Sequence, residues 1–349
     1  MITRLLLHEA VGETRAIALD TAGRAVALFY DRWAEQNKRL RWGDVLGGTV
    51  RKLSPSDGGA FIALEGGREG FLPRRNMGGL VEGAHGLWRV SAEAYADKLA
   101  RLVEATEVER NPGTALERWQ AGLPGAAQLS FDEPPDAAQA IAAAFEDALN
   151  PIAALAGGGR LQMTPTPALV AVDVDTIGRH DKGRASVRAK TVGLAAAEEL
   201  ARQASLRGLG GVLVLDCISP LARRDGPDLK KRFVETFRAL STRRVECLPP
   251  SPFGLMEAVV ERRWRPVAES CVDALGNDLP LTILLDGLRQ IEQAACNNRG
   301  DQLVLGLPVS VFAAFKEHKK IYQTALIERF GGRIEVVKTS RDRIEVSSL

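Results

Sequence analysis

The sequence predicts a mixed α/β protein built from several subdomains. Three patterns along its 349 residues lead to this prediction. Residues 2–30 read as strands joined by short turns, residues 43–106 carry five short strand segments punctuated by glycines, and residues 168–247 alternate strand and helix. The first pattern is typical of an antiparallel sheet, the second of a small barrel, and the third of a sheet with parallel neighbours.

Composition excludes several classes of protein. Hydrophobic residues make up 45% of the chain and charged residues 26%, which is ordinary for a globular protein and excludes wholesale disorder and fibrous repeats. The 46 basic and 44 acidic residues nearly balance, so the net charge of +2 indicates neither a nucleic-acid binder nor an enzyme for acidic substrates. No apolar run is long enough for a membrane span and no secretory signal is visible, so we expect a cytoplasmic protein with no membrane partner.

The cysteines stand singly along the chain and form no C-x-x-C pair. They are Cys217, Cys247, Cys271 and Cys296. This spacing argues against a disulfide framework and against a tetrahedral zinc site. Any metal chemistry must therefore rest on carboxylates.

The N-terminal strands are followed by the barrel segment. The segments RLLLHEA, ETRAIALD and RAVALFY are joined by turns so short that the strands must be antiparallel neighbours. After a charged stretch at 31–42, five segments fit a small barrel of OB type: DVLGGTVRKL, GGAFIALEG, REGFLP, GLWRVSAEA and DKLARLVEA. Any other small β-barrel or hairpin stack fits their periodicity equally well.

The rest of the chain alternates helix and strand. Residues 107–136 read as loop and short helix, and the helix that follows ends at Pro151. The expected βαβαβ unit comprises strand 168–175, helix 192–211, strand 211–216, helix 228–244 and the strand VECLP. Beyond a polar stretch at 264–280, the tail reads as a compact α-β-α-β-β unit.

Carboxylates end the first two strands of the βαβαβ unit. Asp173 and Asp175 share one face of the first strand because side chains at i and i+2 point the same way, and Asp216 ends the second strand. A right-handed crossover brings the carboxyl ends of both strands to one edge, where open α/β sheets bind ligands. Carboxylates without His or Cys favour Mg²⁺ or Mn²⁺. The alternative is that each Asp only caps a turn.

Two aromatic residues and several basic ones are candidates for binding a nucleic acid. If exposed, Phe61 and Phe71 in neighbouring barrel strands would stack on unpaired bases; if buried they are barrel core, the commoner arrangement. Basic residues that could contact phosphates near them are Lys98, Arg51, Lys52, Arg74 and Arg75. A second basic group follows the first carboxylates and forms either a phosphate-binding rim or a solvated loop: Arg179, Lys182, Arg184, Arg188 and Lys190.

Several motifs resemble those of the bacterial ribonuclease E/G family, Mg²⁺-dependent endoribonucleases that cut single-stranded RNA. In the α/β half they are AVDVDT at 171–176, LAAAEELARQ at 194–203, LRGLGGVLVLDCISP at 206–220 and SPFGLMEAVVERR at 251–263. In the barrel segment, GGAFIALEGGREGFLP at 58–73 is similar to the RNA-binding domain of the family. The resemblance covers residues 1–106 and about 137–349, and it is most specific in the α/β half.

The resemblance implies roles for particular residues. Asp173 and Asp216 match the two magnesium-binding aspartates of the family, and Asp175 matches an asparagine that helps to position the scissile phosphate. The residues that match RNA contacts are Phe61, Phe71, Lys98 and Arg262. The implied reaction is in-line attack of an activated water, which leaves 5′-phosphate and 3′-hydroxyl ends.

The resemblance also implies an architecture. An RNase H-like scaffold would comprise residues 1–35 and 107–167, with an OB-fold RNA-binding domain at 36–106 inserted into it. A DNase I-like catalytic subdomain would follow at 168–265. A linker at 266–280 and a small α+β C-terminal domain at 281–349 would complete the chain.

The chain departs from the family pattern in ways that bear on regulation. Residues 107–172 are too few for both the second half of the scaffold and the family's 5′-phosphate sensor, so we expect the sensor to be missing. Only Cys271 lies where the family has its C-P-x-C zinc link, so we expect no zinc, and any homo-oligomer would not be bridged by it. Ser219 replaces an aspartate, and Gly193 and Ala195 replace polar residues at the start of a helix. Lost supporting residues can weaken a metal site.

Two functions therefore remain open. The first is a Mg²⁺-dependent endoribonuclease that cleaves single-stranded RNA in RNA processing or decay, with Mn²⁺ as a possible substitute. The alternative is a catalytically degenerate paralogue that binds RNA or associates with ribonucleoprotein. The retained aspartate pair favours the enzyme.

Overall fold

The computed structural model describes residues 1–36, 38–180 and 183–348. The strands are β1 (Ile2–Ala10), β2 (Glu13–Asp20), β3 (Ala25–Arg32), β4 (Val45–Ser54), β5 (Gly59–Leu64), β6 (Arg68–Pro73), β7 (His85–Ala92), β8 (Ala100–Ala105), β9 (Phe131–Asp132), β10 (Ile152–Ala154), β11 (Arg160–Pro165), β12 (Leu169–Asp175), β13 (Gly211–Asp216), β14 (Val245–Cys247), β15 (Leu255–Val260), β16 (Leu303–Leu307), β17 (Ile334–Lys338) and β18 (Glu345–Ser348). The helices are α1 (Ala115–Ala121), α2 (Ala137–Leu149), α3 (Ala185–Leu206), α4 (Gly226–Leu240), α5 (Val267–Cys271), α6 (Pro280–Asn297), α7 (Val309–Glu317) and α8 (Lys319–Phe330).

The chain divides into two compact units. The larger unit comprises residues 1–6, 17–29 and 37–267, and the smaller one comprises residues 7–16, 30–36 and 268–349. The mixed α/β class predicted from the sequence is confirmed. Among the described helices, none combines the length and the apolar character that crossing a membrane requires.

The N-terminal strands are neighbours in a four-stranded sheet of order β3-β2-β1-β9. The adjacency predicted for the first three strands is thereby confirmed. β9 is a short addition that pairs parallel to β1 at Leu5 and Phe131. The sequence predicted loop and short helix for this segment. The strand was not predicted because two residues leave no readable periodicity.

The five strand segments of the barrel are confirmed, and they form a closed barrel of order β4-β5-β6-β8-β7. β6 and β8 are parallel, and the other pairs are antiparallel. The barrel interior is filled by Trp88, Ile62, Leu72 and Leu102 among others. Phe61 is not part of that core, because inward and outward positions alternate along β5.

The six-stranded sheet of the larger unit has the order β10-β11-β12-β13-β15-β14. The predicted parallel pair β12–β13 is confirmed. The strand VECLP does not continue it: β14 pairs antiparallel with β15, and β15 lies antiparallel beside β13. Residues 255–260 alternate exposed and buried positions, and this strand occupies the place that the βαβαβ prediction assigned to VECLP.

One face of this sheet is covered and the other is open. Val172 and Leu215 on the sheet pack with Leu200 of α3 and Phe233 of α4 in one core. The residues between them along each strand are exposed or half-buried, and Asp173 is among the exposed ones. Because both helices lie on the same face, the opposite face of the strands is available to a ligand.

The motif LAAAEELARQ lies in the middle of α3, and three of its four polar side chains are buried: Glu199, Arg202 and Gln203. Arg202 forms ion pairs with Glu199 and Asp147 at 2.6 and 2.8 Å and donates to the carbonyl oxygen of Ala25 at 2.7 Å. Gln203 donates to the other oxygen of Asp147 at 2.9 Å. This network fixes α3 against α2 and β3, so the most recognisable motif of the chain has a structural role.

The smaller unit contains a three-stranded sheet of order β17-β16-β18. The predicted α-β-α-β-β order of the tail is confirmed, with the second helical region divided into α7 and α8 at His318. Leu288 of α6, Leu305 of β16 and Phe315 of α7 belong to its core. The unit is therefore held together by its own apolar cluster.

A buried ionic network also stabilises the smaller unit. Glu13 accepts hydrogen bonds from Arg32 and Arg289 at 2.8 and 2.9 Å and pairs with Arg15. Burial raises the pKa of Glu13, but the three guanidinium groups outweigh burial and hold that pKa below its ordinary value. Arg32 also donates to the buried sulfur of Cys271 at 3.3 Å, and burial raises the pKa of this thiol.

Candidate functional site

The sheet places Asp173 and Asp216 side by side. β12 and β13 are parallel, and their last registered pair is Val172 with Leu215, so the two aspartates are the next residue on each strand. Neighbouring strands lie about 4.8 Å apart, and registered residues point to the same face. Both side chains are exposed on the open face of the sheet. The sequence prediction that these carboxylates share one edge is consistent with this register.

The two carboxylates have no competing partner in the described parts of the chain. Neither side chain forms a hydrogen bond or an ion pair with another described residue. Within the same residues, no three His, Cys, Asp or Glu side chains are grouped to hold a metal. Two unpartnered carboxylates nevertheless fit Mg²⁺, which is commonly held by one or two carboxylates together with water and phosphate oxygens.

Asp175 lies on the same face but in a different environment. Its carboxylate accepts hydrogen bonds from Arg160 at 2.9 Å and from the backbone N–H of Ile177 at 2.9 Å, and it forms an ion pair with Arg160. The hydrogen bond from Ile177 and then that from Arg160 hold the pKa of Asp175 below its ordinary value. Both carboxylate oxygens are therefore engaged, in contrast to those of Asp173.

The predicted basic rim beyond β12 divides into paired and unpaired side chains. Lys190 forms ion pairs with Asp225 and Asp228 at 2.9 and 2.6 Å. Arg184 and Arg188, at the start of α3, are exposed and form no ion pair with any described residue. These two guanidinium groups are therefore available to phosphates near the carboxyl edge of the sheet.

The remaining members of the predicted rim do not join them. Arg179 donates to the carbonyl oxygens of Ala156 and Gly158, both at 2.9 Å, so its side chain braces the turn between β10 and β11. Lys182 lies outside the described residues.

Phe61 and Phe71 form an aromatic pair on the outside of the barrel. They are registered partners on β5 and β6, and their ring centroids lie 5.5 Å apart in an edge-to-face arrangement. Both side chains are half-buried and neither belongs to the barrel core, so they lie between the exposed and the buried alternative. A Cβ on residue 59 would lie 2.4 Å from the Phe71 ring, which explains why Gly59 stands at this position.

Two cations flank the aromatic pair. The sequence analysis predicted Lys52 near the pair but did not predict Arg101. Lys52 is the registered partner of Phe61, and Arg101 is the registered partner of Phe71, so a cation–aromatic–aromatic–cation row crosses four strands. Arg101 was missed because its neighbour depends on barrel closure: β6 pairs with β8, not with the strand that follows it. Such a row suits an unpaired nucleic-acid strand, with bases on the rings and phosphates on the cations.

Lys98 and Arg262 each lie next to Tyr95, away from the carboxylates. The backbones of Lys98 and Tyr95 pair across a turn, and the Arg262 guanidinium lies over the Tyr95 ring, 4.3 Å from its centroid. Arg262 lies just after the end of β15 that pairs with Gly211. Gly211 and Asp216 are at opposite ends of β13. The five residue steps from Gly211 to Asp216 correspond to about 17 Å of strand.

The barrel is fixed to the end of the six-stranded sheet through Glu93. Its backbone N–H donates to the carbonyl oxygen of Arg263 at 2.9 Å, and its carboxylate accepts from Arg39 at 3.0 Å and from the backbone of Arg265 at 3.3 Å. The Arg263 guanidinium lies 4.6 Å from the centroid of the Trp42 ring. The barrel and the sheet are therefore joined by buried contacts.

Comparisons with known proteins identify relatives of this chain. Residues 113–263 match the model of the Ribonuclease E/G family. The chain is 27% identical to Ribonuclease E of Escherichia coli over 208 residues, which are 58% of this chain and 19% of that protein. It is 32% identical to Ribonuclease E of a Nostoc species over 129 residues, 37% of this chain and 19% of the relative.

A plant protein extends the range of relatives. The chain is 33% identical over 165 residues to a chloroplastic Ribonuclease E/G-like protein of Arabidopsis thaliana, 44% of this chain and 16% of that protein. In each case the match spans less than a fifth of the relative's length. The family match includes the strands that carry Asp173 and Asp216 and the helix α3. The resemblance seen in the motifs is thereby confirmed: over residues 113–263 the chain carries a domain of the ribonuclease E/G family.

Proposed function

We propose that this chain is a Mg²⁺-dependent endoribonuclease that cleaves single-stranded RNA in RNA processing or decay, with Mn²⁺ able to replace Mg²⁺. The observation that carries the proposal is the pair of unpartnered carboxylates, Asp173 and Asp216, at the open edge of the sheet. The named relatives are ribonucleases, and the family match contains both aspartates.

Each group at the edge has a part in the proposed reaction. Asp173 and Asp216 would hold the ion, which when bound offsets charge on the phosphate and lowers the pKa of water. Asp175 holds the guanidinium of Arg160 at the same edge, where it can contact the RNA backbone. Arg184 and Arg188 add two further cations to orient the phosphates.

The barrel would bind the RNA strand. Phe61 and Phe71 offer ring faces for stacking, and Lys98 and Arg262 add positive charge around Tyr95. The strand order β4-β5-β6-β8-β7, with β6 parallel to β8, supports an OB-fold for residues 36–106. We extend the proposal to the RNase H-like scaffold and the DNase I-like catalytic subdomain implied by the family.

The test is cleavage of a structured RNA with single-stranded A/U-rich tails, in Mg²⁺ or in EDTA. Asp216→Asn should lower the cleavage rate by about 100-fold or more, because a bound metal supplies several kcal/mol of stabilisation to the reaction. RNA affinity in EDTA should stay unchanged. Glu257→Gln is the matched control. Glu257 is an exposed carboxylate of β15 on the same face of the sheet as Asp216, and the proposed site does not use it.

The alternative function predicts a different result. A degenerate paralogue would bind the RNA without Mg²⁺-dependent cleavage, and Asp216→Asn would then change nothing. That outcome, with purified wild-type protein at saturating Mg²⁺, would reject the enzyme.

A further inference from the structure

One aromatic side chain projects from the surface beside the carboxylate pair. Phe253 is 90% exposed, and it is the only aromatic residue among the exposed large hydrophobic residues of the described chain. It lies two residues before Leu255, the registered partner of Asp216. Cys217, directly after Asp216, donates its backbone N–H to the carbonyl oxygen of Gly254 at 3.0 Å. Phe253 is therefore held at the same edge of the sheet as the carboxylates.

The loop that carries Phe253 is ordered by its own hydrogen bonds. The backbone N–H of Ser251 donates to Leu255, and that of Gly254 donates to Ser251, both at 2.9 Å. Gly254 has a φ of +88°, which the turn requires, and three prolines at 249–252 restrict the chain further. A ring displayed by such a turn loses little conformational freedom on binding a ligand.

Unpaired positive charge lies on the neighbouring loop. Arg223 and Arg224 are exposed, and neither forms an ion pair with another described residue. They precede Gly226, which packs so closely against the proline loop that a Cβ there would lie 3.3 Å from Pro250. The exposed ring and the two guanidinium groups thus belong to adjacent loops at one edge.

We infer that Phe253 stacks on a nucleobase next to the scissile phosphate of single-stranded RNA, while Arg223 and Arg224 bind the backbone on that side. The inference rests on the proposed function and adds a second stacking position to the one on the barrel. Aromatic rings stack on every base, so the contact orients the strand without selecting a sequence. The core of a protein–protein interface is depleted of charge, whereas Asp216, Arg223 and Arg224 lie at the same edge of the sheet as this ring.

The test measures stacking directly and without cleavage. Single-stranded RNAs that carry 2-aminopurine at successive positions are titrated in EDTA, and both the dissociation constant and the fluorescence are recorded. We expect quenching at one position with the wild type. Phe253→Ala should abolish that quenching and raise the dissociation constant by about tenfold, whereas Phe253→Tyr should preserve both.

Val108→Ala is the matched control, because Val108 is an equally exposed apolar residue far along the chain from the site and should bind RNA as the wild type does. Unchanged quenching and affinity in Phe253→Ala would overturn the inference. So would a changed oligomeric state in sedimentation with unaltered RNA affinity, since that would make the ring an interface between copies of the chain.

The two proposals can fail separately. Ring-dependent quenching without any Mg²⁺-dependent cleavage would retain the inference and reject the enzyme. Cleavage by the wild type that Phe253→Ala leaves unchanged, together with unaltered quenching, would retain the enzyme and reject the inference. Wild-type protein that fails to bind the RNA would overturn both.

Discussion

At the scale of single residues, the surroundings of the three aspartates differ more than their spacing suggests. Asp173 and Asp216 face solvent without a partner among the described residues, whereas Asp175 holds Arg160 and the N–H of Ile177. The guanidinium of Arg160 already offsets the charge of the Asp175 carboxylate and repels a cation that approaches it. Metal binding is therefore expected to depend on the first two aspartates and much less on the third.

Asp175→Asn tests this division of roles. Asparagine can still accept the N–H of Ile177, and the lost ion pair with Arg160 lies near the surface. The Mg²⁺ concentration for half-maximal cleavage should therefore change by no more than about fivefold, the equivalent of a surface ion pair. Asp173→Asn, measured in the same assay, should raise it by more than about tenfold. Equal effects of the two substitutions would show that Asp175 is itself a ligand.

At the scale of elements, the attachment of the barrel depends on one buried glutamate. Burial raises the pKa of Glu93, but Arg39 and Arg41 outweigh burial and hold this pKa below its ordinary value. Glu93 therefore contributes stability that is fully present above its unfolded-state pKa, near 4.5, and that is lost as the pH falls through its folded-state pKa.

Glu93→Gln should lower the free energy of unfolding at pH 7 by about 3 kcal/mol, because it removes the buried ion pair between Glu93 and Arg39. The difference in the free energy of unfolding between the variant and the wild type should shrink below pH 4.5, where the wild-type carboxyl also takes up a proton. Urea unfolding of both proteins at pH 7 and at pH 3.5 measures this difference. Glu104→Gln, at an exposed glutamate, should stay within about 0.5 kcal/mol of the wild type. A difference that stays constant with pH would contradict the assigned ionisation.

The elements that could be predicted from the sequence are those with local signals. Glycines and Pro73 bound the barrel strands, so their positions are readable, and the carboxyl ends of β12 and β13 follow from the handedness of a βαβ unit. The position of Arg101 beside Phe71 is not local, because it depends on how the barrel closes. A bulge between Val50 and Lys52 also shifts the register of β4.

One strand and one exposed residue were not predicted, for different reasons. The strand at 255–260 alternates correctly, but its place between β13 and β14 is a tertiary choice that periodicity does not encode. Phe253 did carry a signal: a phenylalanine between a proline and a glycine sits in a turn, where an apolar side chain is poorly covered. A search for aromatic residues in turn segments would have found it.

At the scale of the whole molecule, a net charge of +2 conceals local segregation. The unpaired guanidinium groups of Arg184, Arg188, Arg223 and Arg224 all lie in segments that follow the carboxyl ends of β12 and β13. Many other charges are paired within the protein, as in the buried networks around Glu13 and Arg202. A balanced total therefore says little about phosphate binding, which depends on where unpaired cations lie.

The segment between the barrel and α2 leads to the last prediction. From the end of β8 to the start of α2, the described chain forms α1, short turns and β9. Arg118 of α1 donates to the carbonyl oxygen of Trp42 at 2.9 Å and pairs with Asp44, so this segment braces the barrel. Because this segment braces the barrel, we predict that the chain lacks the family's 5′-phosphate sensor. RNAs that differ only in a 5′-monophosphate, triphosphate or hydroxyl should be cleaved at similar rates. Parallel single-turnover assays measure these cleavage rates, and Asp216→Asn serves as the control that excludes a contaminating nuclease. A rate advantage of about tenfold or more for the monophosphate, equivalent to about 1.4 kcal/mol, would contradict the prediction.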